Sequence, residues 1–511
     1  MDFLGNISFG PGSGIYHRRC ADGVGAMTAG TSLRKPKANF GVALKQRLSR
    51  PRYLIMGNWL IQVFIVLVFI FFRGLNTPHA GVMLQQAPED MARVFGDGDS
   101  GSYLKAALSL VATGHNTQEW AWVLNLWPPG MVWLDASIVR FSPLDYGVTI
   151  GLITALVWSA PLAVLTWPFM RRWRHALVVL LVEFAILGTS PFQSWMFDKG
   201  LFYADGLSAA LFLLGLSLSV NRVRSKGPVQ LWIRDGIYVG IAFAATIYLR
   251  ASYQLVPWAL AAIAIATTGV IIVKRIRGMS TVDLGRQAVL LIVAALTVPI
   301  LMHPYTTFVQ QERDRTQFVM LDKLIYVSVW KNYTVDSLPQ WLLDGGVSVG
   351  CDIDPSKCAL IQRAQADGKV FTPEELRNSL LESIATHPLQ FVSNRGSYVA
   401  RQWYADEAGS YSSSDTLNPG QGLLYLVFLI STTVVACILA ARGTWALMVI
   451  PVMALAVLAP LAIAHVEVRY LIPLKMIGLL APMLILMLRE QPTRSRGSKS
   501  AAGRPAESQL R

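Results

Sequence analysis

The sequence predicts an all-α polytopic membrane protein with about ten transmembrane helices, and three observations predict it. Of the 511 residues, 53% are hydrophobic and only 15% charged, where a soluble domain carries roughly a quarter charged. The apolar residues gather into blocks of about 20, the length that crosses a hydrocarbon core of roughly 30 Å. The net charge of +14 sits in clusters that all fall on one side if there are ten spans, as the positive-inside rule requires. That placement assigns the basic excess to topology and anionic headgroups, not to nucleic acid.

Taken in order, the chain opens with residues 1–52, rich in Gly, Ser and Lys/Arg and without helical period. This composition reads as a disordered, basic, cytoplasmic N-terminus. It is too long and polar for a secretory n-region, and no small-residue cleavage site follows Phe72, so the first span reads as an uncleaved anchor. The apolar blocks are Leu54–Phe72, Val148–Trp167, Ala176–Thr189, Leu207–Val220, Ile237–Leu249, Val256–Val273, Ala288–Leu301, Leu423–Ala441, Trp445–Ile463 and Leu471–Leu488. Basic clusters precede the first and follow the second, fourth, sixth and tenth, which places both termini in the cytoplasm. Four parts follow from this division: an N-terminal transmembrane module (53–301), an extracytoplasmic segment (302–421), a C-terminal transmembrane module (422–488) and a basic cytoplasmic tail (489–511).

Two long segments lie outside under this topology. In the first outer loop, 73–145, Asp99 to about Gly114 carries Tyr103, Ala106, Ala107, Leu110 and Val111 on one helical stripe, and Gly114 suits a helix stop. Pro128-Pro129-Gly130 breaks the chain, and Met131–Phe141 resumes an amphipathic pattern. The spacing predicts two interfacial helices, anchored by Trp120, Trp122, Trp127 and Trp133. The second segment, 302–421, reads as a small α-rich domain. Thr372-Pro373-Glu374-Glu375 makes a helix start, with Leu376, Leu380, Ile384 and, past a proline turn, Phe391 on an apolar face. Cys351 and Cys358 flank CDIDPSKC there, and an oxidising compartment would join them in a small disulfide loop; no His lies near enough to complete a metal site.

Four constellations could carry chemistry. Asp97-Gly98-Asp99 precedes Tyr103, and Asp99 and Tyr103, four apart, share a helix face; a capping role for Asp99 or Ser100 is the plainer alternative. Leu126–Gly130 reads as a turn. Asp198 and Asp205 bracket the outer start of the fourth span, where a cap or snorkelling contact would also explain an acid. His465, Glu467 and Arg469 alternate with valines before Pro473, and Lys475 lies deeper in an apolar span. An extended segment would turn these three charges one way, since a proline disfavours helical geometry just before it. Boundary charges at this density are costly, and so functional by default. Glu183, mid-span, must face the bundle interior, where it could serve packing or function. Arg250 lies at the outer end of the fifth span, within reach of an anion.

An acidic residue just after the first span, Tyr103 four residues after Asp99, and the Trp127–Gly130 Pro-Pro break resemble the first outer loop of the GT-C glycosyltransferases. The likeness is closest to the protein O-mannosyltransferase, lipid A aminoarabinose transferase and Rgt-type group. Tyr203-Ala204-Asp205 is similar to the aromatic/acidic start of their fourth span, and His465–Pro473 to their late E-x-R-Y-x-x-P signature. The chain departs where the family often has Asp-Glu: here Ser100 follows Asp99, so the base falls to Asp99 or Asp97. The segment 302–421 carries only a general likeness, in HPLQFVSNR, so no acceptor is implied.

The resemblance implies transfer of a sugar from a polyprenyl-phosphate donor to a glycan, lipid or protein acceptor of the cell envelope, with inversion. Asp99 or Asp97 would take the acceptor proton. Arg469, Lys475 and Arg250 would stabilise the departing lipid phosphate. Tyr103, Asp205, His465 and Glu467 would surround the sugar or acceptor. Some relatives use a divalent metal ion, which these acids could hold. Two rivals stand beside this reading: another membrane glycan enzyme, such as a polysaccharide polymerase or ligase, and a transporter. A transporter should show inverted repeats and broken spans pointing at the bilayer midplane; the sequence shows no internal repeat, and its charges cluster at the outer face rather than mid-membrane. Short cytoplasmic loops and the lack of a eukaryotic targeting signal place the chain in a bacterial inner membrane.

Overall fold

A backbone in lipid must satisfy its polar groups within itself, and helices do so segment by segment. In the computed structural model each of the ten apolar blocks is helical. The structure describes residues 51–76, 87–95, 99–115, 120, 123–124, 127–170, 173–189, 192–193, 204–224, 227–313, 385, 388–405, 417–463 and 468–489. Among these the protein is all-α, and the only β pairing is an isolated bridge between Ala405 and Leu417. The described residues, all from Pro51 onward, belong to one compact unit.

The helices are α1 (Pro51–Asn76), α2 (Pro88–Phe95), α3 (Asp99–Thr113), α4 (Gly130–Phe141), α5 (Tyr146–Thr166), α6 (Trp173–Leu187), α7 (Ala204–Arg224), α8 (Val229–Leu249), α9 (Val256–Ile276), α10 (Val282–Arg313), α11 (Pro388–Trp403), α12 (Pro419–Ala441), α13 (Val449–Ile463) and α14 (Val468–Arg489). Among the described residues six stretches are long and apolar enough to cross a membrane: Ile55–Phe72, Tyr146–Phe169, Ala204–Val223, Ala251–Ile276, Val282–Thr307 and Pro419–Ala441. The others are shorter or carry charge, as α8 does at Arg234 and Asp235. In α7 72% of the apolar stretch is buried, against 28% in α1 and 22% in α12, so α7 is central and the other two are peripheral.

Small residues set the closest helix contacts. Gly236 and Gly240, one turn apart on α8, face α10: an added Cβ would stand 2.9 Å from the Leu290 carbonyl at the first and 3.0 Å from that of Ala294 at the second. This is the small-xxx-small device that lets membrane helices approach. Gly478 on α14 meets the Tyr425 carbonyl of α12 in the same way, at 2.7 Å. Polar residues tie α1, α5 and α6 together. Asn58 donates to Ala163 O at 2.8 Å, and Gln62 donates to Glu183 Oε2 at 3.0 Å and to Thr166 Oγ1 at 3.3 Å. Glu183 does face the interior, 1% exposed.

Both helices expected between residues 73 and 145 are present. Tyr103, Ala106 and Ala107 of α3 are buried, and Gly114 ends it at φ 75°, the left-handed geometry a helix stop requires. The helix α2 is an addition, opened by Pro88 and two acids in its first turn. Two expectations change. The helix α10 does not stop near Leu301 but runs through Pro304 to Arg313. Residues 468–472, just before Pro473, are not extended: α14 starts at Val468, so Arg469 and Tyr470 are helical. Neighbouring helices bury residues 471–480 throughout, and packing of this kind tolerates proline in membrane helices. The helix expected from Thr372, both Cys351 and Cys358, the N-terminal 50 residues and the tail lie outside the described residues.

Candidate functional site

Three of the central elements begin or end at the same place. The helix α7 starts at Ala204 with Asp205 in its first turn. Its antiparallel neighbour α8 stops at Leu249, where Arg250 leaves the helix in extended geometry (φ −146°, ψ 122°) before a single 3-10 turn, Ala251–Tyr253. The corner turns the Arg250 side chain back over the start of α7. The helix α14 packs on α7 and begins one residue before Arg469. Asp99, first residue of α3, completes the group; Asp99 and Asp205 each lie in the first turn of a helix, where an acid complements its positive end.

The four charges interlock. Arg469 Nη1 donates to Asp99 Oδ2 at 2.7 Å and lies 3.9 Å from Asp205 Oδ2. Arg250 Nε sits 2.7 Å from Asp205 Oδ1, and Arg250 Nη1 sits 3.6 Å from the Asp99 oxygen that Arg469 holds. Asp99 is the most open side chain at 18%, against 5% for Arg250, 8% for Asp205 and 9% for Arg469. Charges this buried are retained only when paired. The Tyr470 ring lies beside both guanidinium groups, 4.9 Å from that of Arg250 and 5.4 Å from that of Arg469.

Tyr103 is fully enclosed one turn along α3, with Trp127 packed edge-on at 5.2 Å. Burial holds its phenol well above the usual value, Arg250 partly offsetting it, so the hydroxyl keeps its proton and remains a donor. Tyr103 Oη, Ser100 Oγ and Arg250 Nη2 are buried without a hydrogen-bond partner among the described residues. Buried polar groups are almost always satisfied, and three unsatisfied ones beside a charge cluster suit a polar ligand. Gly130 explains the Pro-Pro-Gly break: it opens α4 directly against the Tyr248 carbonyl, where a Cβ would collide with backbone. The motif thus seats α4 on the end of α8, two residues before Arg250.

Of the residues singled out from sequence, Asp99, Tyr103, Asp205, Arg250 and Arg469 come together. Lys475 lies six residues beyond Arg469, about 9 Å along the helix. It is fully buried against the rings of Trp403 (5.7 Å) and Tyr425 (5.9 Å), which α11 and α12 supply. Asp97, His465 and Glu467 lie outside the described residues. The sequence marked Tyr470 only as part of the late motif and Ser100 only as a possible cap or as the departure after Asp99, and gave neither a place in the site.

A divalent metal does not fit the described donors. No group of three His, Cys, Asp or Glu side chains stands together among them, and Asp99 and Asp205 each face guanidinium groups that repel a cation. At the opposite end of the bundle, where α7 stops and α8 and α10 start, the charge is basic: Arg222, Arg234, Lys274, Arg275, Arg277 and Arg286. Comparison with protein-family models, curated proteins and solved structures finds no match to this chain.

Proposed function

We propose that the protein is a membrane glycosyltransferase that moves a sugar from a polyprenyl-phosphate donor to a cell-envelope acceptor, with inversion at the sugar. The observation that carries this reading is the meeting of Asp99, Asp205, Arg250 and Arg469, drawn from four distant stretches of chain, in one buried cluster at one end of the helix bundle. The motif resemblance predicts a carboxylate base and a phosphate-binding arginine in these same residues. In the proposed topology all ten apolar helices cross a bacterial inner membrane, both termini are cytoplasmic and the cluster lies at the outer surface.

The chemistry follows from the charges. The lipid phosphate leaves as the glycosidic bond breaks, and guanidinium groups stabilise the charge that grows on it. Arginine suits this task through its planar fork of donors. Arg469 Nη1 is engaged by Asp99, so an arriving phosphate competes for that donor and releases the carboxylate. Asp99, the most solvent-accessible member, then accepts the proton of the attacking hydroxyl. Arg250 Nη2, Tyr103 Oη and Ser100 Oγ supply further donors for the phosphate or the sugar hydroxyls. Lys475 belongs to a deeper, aromatic-lined position on the same helix.

The test is incubation of purified protein in nanodiscs with polyprenyl-phosphate sugars extracted from native membranes, followed by mass spectrometry. Release of free polyprenyl phosphate together with a glycosylated acceptor supports a transferase. Movement of an intact lipid-linked sugar across the bilayer, with no release, supports a transporter instead.

A further inference from the structure

The basic end of the bundle holds a second set of unsatisfied donors, well apart in the fold from the carboxylate cluster. Arg222, near the end of α7, is 5% exposed, and its guanidinium lies over the Trp232 ring of α8 at 4.5 Å. Its Nη1 sits 3.4 Å from Asp235 Oδ2. Its Nε and Nη2, and the indole Nε1 of Trp232, are all buried without a hydrogen-bond partner among the described residues. Three unsatisfied N–H donors on two stacked side chains constitute a built arrangement, since native proteins rarely leave one such group unmet.

The surrounding charge favours an anion. Arg234 takes the other oxygen of Asp235 through both Nε (3.0 Å) and Nη2 (2.9 Å). Arg286, on the second turn of α10, pairs among the described residues with Asp283, at 3.3 Å. Gly236, one turn after Trp232, lies against Leu290, one turn after Arg286, so the starts of α8 and α10 run side by side here. Three guanidinium groups thus share two carboxylates, and one positive charge is left over. The first turns of α8 and α10 add the positive ends of their dipoles. The neighbouring surface of α8 is apolar, with Ile233 and Ile237 exposed, as an acyl chain beside a headgroup would require.

We propose that Arg222, Trp232 and Arg286 form a binding site for the phosphate group of an anionic phospholipid at the basic end of α7, α8 and α10. The indole and the guanidinium donate to phosphate oxygens, and Arg286 turns from Asp283 toward the headgroup. Basic pockets between helices are the physical setting in which anionic headgroups are held. The site is independent of sugar transfer and stands whether or not that reading does.

The experiment measures thermal unfolding of the full-length protein in mild detergent, titrated with phosphatidylglycerol, phosphatidylcholine or inorganic phosphate. Phosphatidylglycerol should raise the midpoint, and phosphatidylcholine should not. Arg286→Gln should weaken the apparent affinity about fivefold, as one arginine near a headgroup contributes, and Trp232→Phe, which keeps the ring but removes the donor, by about tenfold. Arg222→Gln should abolish the response; if it does not fold, the other two variants carry the test. Stabilisation by inorganic phosphate that competes with the lipid also supports the site and identifies the phosphate group as what is recognised. An equal response to phosphatidylcholine, or wild-type affinity in both Arg286→Gln and Trp232→Phe, overturns the proposal.

Discussion

Asp205 is the residue on which the buried cluster balances, because it faces Arg250 at 2.7 Å and Arg469 at 3.9 Å. Removing one partner of a buried pair strands the other charge, at a cost of about 3–5 kcal/mol. Asp205→Ala should therefore lower the unfolding midpoint in detergent more than Asp99→Ala, since Asp99 is the more hydrated. Equal losses would place the two carboxylates on the same footing. A second residue reports through pH. Burial pushes the Asp135 carboxyl up to about 8, while the hydrogen bond it accepts from Tyr146 at 2.8 Å pulls it partly back. Its usual value is near 4, so between about pH 4 and 8 the native state binds the extra proton. Stability then falls as pH rises through that window, by at most about 1.4 kcal/mol per unit. Asp135→Asn should flatten this slope and exceed the wild type at pH 9; parallel curves would show that Asp135 is ionised in the native protein.

At the scale of the element, what the sequence made legible is whatever periodicity and punctuation encode. The apolar blocks became helices, and the Tyr103–Ala107 stripe turned inward with Gly114 as its stop, because these patterns are local. The eight-residue α2 was marked by Pro88, Glu89 and Asp90, a start signal without enough apolar length behind it to stand out. The start of α14 was misjudged because Pro473 was weighed as a local breaker, whereas burial of residues 471–480 decides the backbone there. That change of phase matters: in a helix six residues turn about 240°, so Lys475 leaves the face of Arg469 for that of Trp403 and Tyr425. The pairings of the cluster were not legible, since no spacing rule links Arg469 to Asp99 across 370 residues. Individual charges could be suspected; which carboxylate meets which arginine is decided by packing of α7, α8 and α14. That packing makes its own prediction. Gly240→Ala would set a Cβ 2.5 Å from that of Thr297, and overpacking of this kind costs about 1–3 kcal/mol. Gly269→Ala on α9, which meets nothing within 4 Å, should cost nothing. A stability change of the same size in both would remove close α8–α10 contact as the reason for the glycines.

For the whole molecule, the two ends of the bundle have opposite characters: paired carboxylates and arginines at one, an excess of arginine and lysine at the other. In the proposed topology the second end faces the cytoplasm, as the positive-inside rule requires. A fluorescent-protein fusion at Arg511 and a phosphatase inserted after His115 should both be active in cells, each needing its own side of the membrane; the reverse pattern would invert the topology. The most direct test of the central claim, that Asp99 accepts the acceptor's proton while Arg469 holds the departing phosphate, is sugar transfer by purified wild type, Asp99→Asn, Asp97→Asn and Arg469→Ala. Asp99→Asn should fold and lose transfer by about 10²-fold or more, the size expected for a lost general base, with Arg469→Ala similarly impaired and Asp97→Asn close to wild type. Transfer undiminished in folded Asp99→Asn would contradict the claim and leave the cluster a structural tie between the first loop and the bundle.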